Sequence, residues 1–454
     1  MKKTLIILIL LAFSFIGCEQ VINRGNQGLP PGDNANTGTQ RPPADPPLRE
    51  WTIMIYMAAD NDLESAAIAN FNELEAIRNL HNAPISIVVL LDRSPYFDRT
   101  NGNWSDTRVF EIKSDPNGLT PTMISTRLDS PELGLTIDTE TDLNTADPLV
   151  LSRFINFAMR AYPAERYALF MWGHGTGWRA LAFDDTSGQY MSLSGFGRAV
   201  AGKGLSVIGF DTCFGGVLEV AYQIRNDAEL FVGSIGTVLS TGWDYRALFA
   251  DFLQRSNLSV DALGDSIQNQ FIARYGNLNN ASISQVRLSH VDNLFVKFNN
   301  FAREVANAIT TQAARDLVLN EILHNVEGHY FITFPSDLYI DIYDFSHKIT
   351  AIRSGITADP LKQDAILLAA NELQSALALA VPSSWAHNGT TNKLGVHLIP
   401  LQGIAVPTAS HELAYVRGSM ALDKNAFVNN SQHWVPNMVP QSDSLLDKLF
   451  YWVF

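Results

Sequence analysis

The stretch LSVIGFDTCFGG, residues 205–216, decides how the rest of the chain is read. An apolar run of strand length meets Asp211-Thr212-Cys213 and then Gly215-Gly216. Such a run, bounded by turn residues, predicts a buried strand. Cys213 is one of only two cysteines in the chain, so this strand end presents a rare thiol. A second stretch, YALFMWGHGTGW at 167–178, is built the same way and presents His174 between Gly173 and Gly175. If the two strands are neighbours in a parallel sheet, both side chains emerge at the C-terminal edge, where sites in such sheets form.

Working outward, WTIMIYMAADNDLE (51–64) opens the folded part with an apolar strand and a turn, followed by a helical pattern to about Arg78. Further strand-like runs are ISIVVLLD (85–92), TRVFEI (107–112) and ELFVGS (229–234). Helical patterns lie between them at 147–163, 192–202 and 215–224. Strands alternating with helices predict an α/β fold with a mostly parallel central sheet covered on both faces. Residues 113–146 are polar and turn-rich. Beyond the core, helical periodicity recurs at 291–309 and 359–381, and KLGVHLIP (393–400) reads as one more buried strand. The apolar tail LLDKLFYWVF is expected to be packed.

The N-terminus, MKKTLIILILLAFSFIGCEQ, has two lysines, an apolar stretch too short to span a membrane comfortably, and Gly17-Cys18. It has the form of a bacterial lipoprotein signal, with Cys18 the lipidated residue. The predicted organisation is a signal at 1–17, a flexible Pro- and Asn-rich tether at 18–50, a catalytic core at 51–275, and a part at 276–454 that completes the sheet and adds helices. With Cys18 lipidated, Cys213 is the one thiol left and no internal disulfide is possible. The net charge of −14 argues against nucleic acid and anionic membrane surfaces as electrostatic partners.

A thiol beside an imidazole has a defined chemistry. The thiolate is the nucleophile, and the imidazole takes its proton and protonates the leaving amine. The backbone amides of Gly175 and Cys213 are candidates to stabilise an oxyanion. Side chains alternate along a strand, so Asp211 and Cys213 point the same way. An acid there raises the thiol pKa, so Asp211 is better read as part of a pocket for a cationic side chain. The blander readings are a buried Cys packed as a small hydrophobe and an Asp211 that only caps the next helix. HNVEGH (324–329) lacks the spacing of a zinc helix, and no GxSxG elbow occurs. Asp60-Asn61-Asp62 and Asp184-Asp185 lack the spacing of a calcium loop, and solvated turns account for both.

Together, WTIMIYMAADNDLE, DLNTADPLVLSRFINFAMRAYPAERYALFMWGHGTGW, LSVIGFDTCFGG and VGSIGTVLSTGWDY (232–245) resemble the clostripain-like cysteine peptidases, the C11 group. DLYIDIYDFSHKI (337–349) and KLGVHLIP resemble more distant landmarks of that family. The resemblance implies a caspase-like three-layer α/β/α sandwich with C-terminal helical additions. It implies a His174–Cys213 dyad without a third member, Gly175 in the oxyanion hole, and Asp211 as the acid that binds Arg or Lys at P1. Asp244 is a candidate second pocket acid. The chain departs from the family at Ile235-Gly236-Thr237-Val238, where relatives often carry acidic residues or proline. The implied protein is a monomeric, lipid-anchored endopeptidase acting on proteins or peptides at the periplasmic or cell-surface face of a membrane, with no required cofactor. The other reading is a peptide-binding lipoprotein on the same scaffold without catalysis. Some relatives respond to calcium, and others cut themselves between the His and Cys strands. Here Arg179, Arg198 and Lys203 are the only basic residues in that interval, so no efficient self-cleavage is expected within 180–191.

Overall fold

A computed structural model describes residues 48–178, 180–278, 281–324, 326, 328–330, 338–387 and 394–398. The signal, the Cys18 lipidation site, most of the tether, Arg179 and the C-terminal tail lie outside them.

The first strand, β1 (Arg49–Ala59), is an interior strand of a nine-stranded sheet. It is followed by α1 (Glu64–Glu75), β2 (Ile85–Arg93), β3 (Thr107–Glu111) and β4 (Thr126–Leu128). The chain then forms α2 (Pro148–Ala161), β5 (Ala164–Trp172), the hairpin β6 (Ala180–Asp184) and β7 (Gln189–Ser192), and α3 (Leu193–Val200). Next come β8 (Val207–Asp211), α4 (Leu218–Gln223), β9 (Leu230–Gly233), α5 (Tyr245–Phe252), α6 (Val260–Tyr275) and β10 (Ser282–Arg287). The remaining elements are α7 (Val291–Ala308), α8 (Gln312–His324), β11 (Gly328–Tyr330), β12 (Leu338–Asp341) and α9 (Ile342–Ala351). Last are α10 (Arg353–Ile356), α11 (Pro360–Ala380), β13 (Ser383–Ala386) and β14 (Gly395–Leu398).

The sheet order is β13-β10-β9-β8-β5-β1-β2-β3-β4. The central strands β9, β8, β5, β1 and β2 are parallel, and β10, β13, β3 and β4 add antiparallel margins. The unbroken apolar runs of β1 and β2 follow from this position, since a central parallel strand is covered on both faces. Alternate residues of β1 serve the two faces. Met54, Tyr56 and Ala58 join one core cluster, with α2, α3, α4, α7 and α11. Ile53, Ile55 and Met57 join the other, with α1, α5 and α6. This is the three-layer α/β/α arrangement expected from the sequence.

Local chemistry sets the ends of the helices. Asp147 caps α2 by accepting from the Leu149 amide at 2.9 Å, with Pro148 in the first turn. Ser259 caps α6 and Asp359 caps α11 in the same manner. The KLGVHLIP strand was expected to be one more buried strand. It forms β14 in a separate three-stranded sheet, β11-β12-β14, rather than in the central one.

Candidate active site

β5 and β8 are parallel neighbours, and their last register partners are Trp172 and Asp211. His174 and Cys213 each lie two residues beyond that pair, so the register sets them level at the C-terminal edge. Both line one cavity of about 80 Å³, together with Trp172, Asp211, Val238 and Gly242. A larger cavity of about 560 Å³ is lined by Glu50, Pro84 and Arg166, near the opposite ends of β1, β2 and β5, and its lining holds no nucleophile.

The turn after β5 needs its glycine. Gly173 has φ +135°, and a Cβ there would stand 2.8 Å from the Ala58 carbonyl of β1. Gly175 is closed in from the other side, since a Cβ would meet Thr212 Oγ1 at 2.7 Å and the Cys213 carbonyl at 2.8 Å. The two strand-end loops therefore touch at backbone distance.

Cys213 is partly buried, and its Sγ points to the Val238 carbonyl at 3.5 Å. Burial pushes the thiol up, and the Asp211 carboxylate adds to that. It needs a base to ionise near neutrality. Phe214 follows with φ +58°, held by its amide on Gly236 O (2.9 Å) and by its ring stacked on Tyr339 (5.2 Å). Tyr339 also donates its hydroxyl to the Thr176 carbonyl at 2.7 Å, so one side chain of β12 braces both loops.

His174 has a partner that the dyad expectation left out. Its Nε2 lies 2.6 Å from Asp62 Oδ1, and this bond holds the Asp62 carboxyl below its ordinary value. Asp62 was read from the sequence as part of a solvated turn. In the fold, α1 is preceded by Leu63 with no side-chain cap, and the Asp62 carboxylate turns to His174 instead. No local pattern signals this contact, because the two residues meet only through the parallel pairing of β1 with β5.

Asp211 is buried, and only one of its oxygens is used. Oδ2 accepts from the Trp243 amide (2.8 Å) and the Tyr245 hydroxyl (3.0 Å), while Oδ1 has no hydrogen-bond partner. Burial pushes this carboxyl up to about 7, against the two bonds that lower it. It does not cap α4, whose N-cap position is Val217, with no side-chain cap. Asp244 does not line the cavity. Its carboxylate accepts from the Ala247 amide at 2.9 Å and caps α5, which replaces the expected second pocket acid. The wall opposite, residues 235–243, is pinned at Gly242 O by Arg274 and Tyr275 and at Thr241 O by Asn70. Gly242 itself has φ +59°, with Asn70 Oδ1 and Asp211 Oδ2 where a Cβ would go.

The two acidic clusters are solvated turns only in part, since Asp62 and Asp185 are exposed. Asp60, Asn61 and Asp184 are buried, because β6 folds back over the end of β1, and the Asp185 amide donates to Asp60 O at 2.8 Å.

The Clostripain family model matches residues 55–378, which contain every one of these strand ends. The chain belongs to the clostripain family. Clostripain of Hathewaya histolytica is 28% identical over 228 residues, covering 44% of this chain and 41% of that protein, so the match spans less than half of its length. The fold is similar to an inactive zymogen C11 protease from Parabacteroides distasonis, with a TM-score of 0.56, 18% identity, and 79% of this chain on 94% of that one. It is also similar to a secreted C11 cysteine protease from Bacteroides thetaiotaomicron in complex with an irreversible peptide inhibitor. There the TM-score is 0.55 and the identity 18%, with 85% of this chain on 98% of that one.

Proposed function

We propose that this chain is a cysteine endopeptidase that cleaves protein or peptide substrates after Arg or Lys. The observation that carries the reading is the β5–β8 register, which sets His174 and Cys213 level over a buried carboxylate with one unused oxygen. Asp62 at Nε2 fixes that nitrogen as the proton-bearing one and leaves Nδ1 to exchange protons with the thiol. The thiol proton passes to His174, and Sγ attacks the scissile carbonyl. The amides of Gly175 and Cys213 receive the oxyanion. His174 then protonates the leaving amine, and water hydrolyses the thioester. A P1 guanidinium or ammonium placed against Asp211 Oδ1 supplies the missing partner of a buried carboxylate, which makes binding charge-selective. The lipoprotein-type signal at 1–17 and the tether that starts at Cys18 support export and anchoring through Cys18, with the folded part outside the membrane that holds the lipid.

The test is hydrolysis of fluorogenic peptides that differ only at P1, by the wild type and Cys213→Ala. Cleavage after Arg or Lys that disappears in the variant is expected. Cleavage confined to another residue would discard the basic pocket and keep the dyad. A folded wild type that binds peptides and cleaves none would favour the binding-module reading.

A further inference from the structure

Phe183 and Tyr190 form an aromatic pair on the outer face of the β6–β7 hairpin, with ring centroids 5.5 Å apart. The pair starts at the dyad, since Phe183 also stands edge-on to His174 at 5.9 Å. Phe183 is half-buried and Tyr190 is 58% exposed, so an aromatic surface runs outward from the imidazole. A bulge puts it there. Leu181 pairs with Met191, and both are buried in the core. Regular alternation would turn Phe183, two residues after Leu181, to that same inner face. Instead the register skips Ala182 and pairs Phe183 with Tyr190. Ala182 takes φ +49°, a left-handed conformation that a residue with a Cβ seldom adopts. Bulges of this kind re-aim side chains, often beside active sites. A cross-strand aromatic pair stabilises any hairpin, but that role alone needs neither the backbone strain nor a large ring left in water.

The order of strands along the sheet edge gives the pair its side of the cleft. β9, β8, β5 and β1 are successive neighbours. The wall at 235–243 follows β9, Cys213 lies just past β8, and His174 lies just past β5. The hairpin covers the end of β1, where Asn61 donates to Phe183 O (2.9 Å) and the Asp185 amide to Asp60 O (2.8 Å). Seen from the P1 cavity, the hairpin therefore lies beyond His174, and neither Phe183 nor Tyr190 lines that cavity. The leaving amine takes its proton from His174, so the departing segment of a substrate crosses the imidazole toward Phe183.

Given the peptidase reading above, on which this rests, we propose that Phe183 and Tyr190 form a subsite for an aromatic or large aliphatic side chain at P1′ or P2′ of the substrate. Contact with the pair takes apolar surface of both partners out of water, and an aromatic partner adds ring-to-ring attraction. Small polar side chains gain neither. Specificity is then set on both sides of the scissile bond, by charge at Asp211 and by apolar area at the hairpin.

The test uses the full chain and internally quenched peptides. P1 is fixed at the residue that the P1 series favours, and Phe or Ser is placed at P1′ and at P2′ in turn. At one of the two positions Phe should exceed Ser by roughly fivefold or more in kcat/KM. In Tyr190→Ser that ratio should fall to about one, and in Tyr190→Phe it should persist. The ratio is unmoved by partial loss of folded enzyme, which lowers both rates alike. A ratio near one in the wild type overturns the subsite and leaves the peptidase standing. A ratio retained in Tyr190→Ser places the preference elsewhere and also overturns it. Absence of cleavage of every peptide strikes the peptidase reading itself, and the subsite falls with it.

Discussion

Asp62 Oδ1 and His174 Nε2 stand 2.6 Å apart, although 112 positions separate them in sequence. The pair sits at the mouth of the cavity, with both side chains partly exposed. If it merely decorates the surface, it is worth ~0–1 kcal/mol and nothing in catalysis. If it orients the imidazole, Asp62→Asn should lower kcat roughly tenfold or more, with KM for a P1-Arg peptide nearly unchanged. Equal kcat in the two proteins would reduce the contact to a surface ion pair.

Asp211 makes stability depend on pH with a definite sign. Its folded pKa is about 7 against an ordinary 3.8, so the folded state holds the proton more tightly. Stability is unaffected below about pH 4 and is lost as pH rises to about 7, by an order-of-magnitude cost of ~4 kcal/mol. Arg274 tempers this cost and Glu73 adds to it, while Tyr245 donates to the same carboxylate. Asp211→Asn lacks the titration. In urea unfolding it should therefore gain on the wild type between pH 5 and 8. It should also lose roughly a hundredfold or more in kcat/KM on P1-Arg peptides. A stability difference that is flat with pH would show that the carboxylate titrates normally.

Asp244 provides the contrast. As the cap of α5, its replacement by Ala should cost ~1 kcal/mol of stability and leave the P1 preference in place. A shift in P1 preference without loss of stability would return it to the pocket.

The hairpin at 180–192 is built into the core through Ala180, Leu181, Ala182 and Asp184, all buried, and carries no Lys or Arg. Incubated protein should show no new N-terminus inside 180–191 by Edman or mass-spectrometric mapping. A two-chain product cut there, absent from Cys213→Ala, would contradict this.

The parallel core was legible because its strands are long apolar runs bounded by turn residues, and the meeting of His174 and Cys213 at one sheet edge was legible because each follows such a run near glycines. Three things were not. Asp62 joins His174 by pairing between distant strands, which no local spacing records. Asp60 and Asp184 read as solvated turns because polarity alone cannot show that a later hairpin will cover them. Asp244 sits one residue before a helix, where capping and pocket roles share the same residue type. The hairpin β6–β7 was missed because its strands are short and Ala182, at φ +49°, interrupts the register.

The Tyr339 brace has a consequence in time. A ribosome delivers the chain from the N-terminus, so His174 and Cys213 emerge well before the residue that ties Thr176 to Phe214. Gly395, whose amide bonds Gly216 O at 2.9 Å, arrives later still. A nascent chain that already contains His174 and Cys213 thus lacks the supports of their loops. Those loops are completed only once residues 339 and 395 have been made.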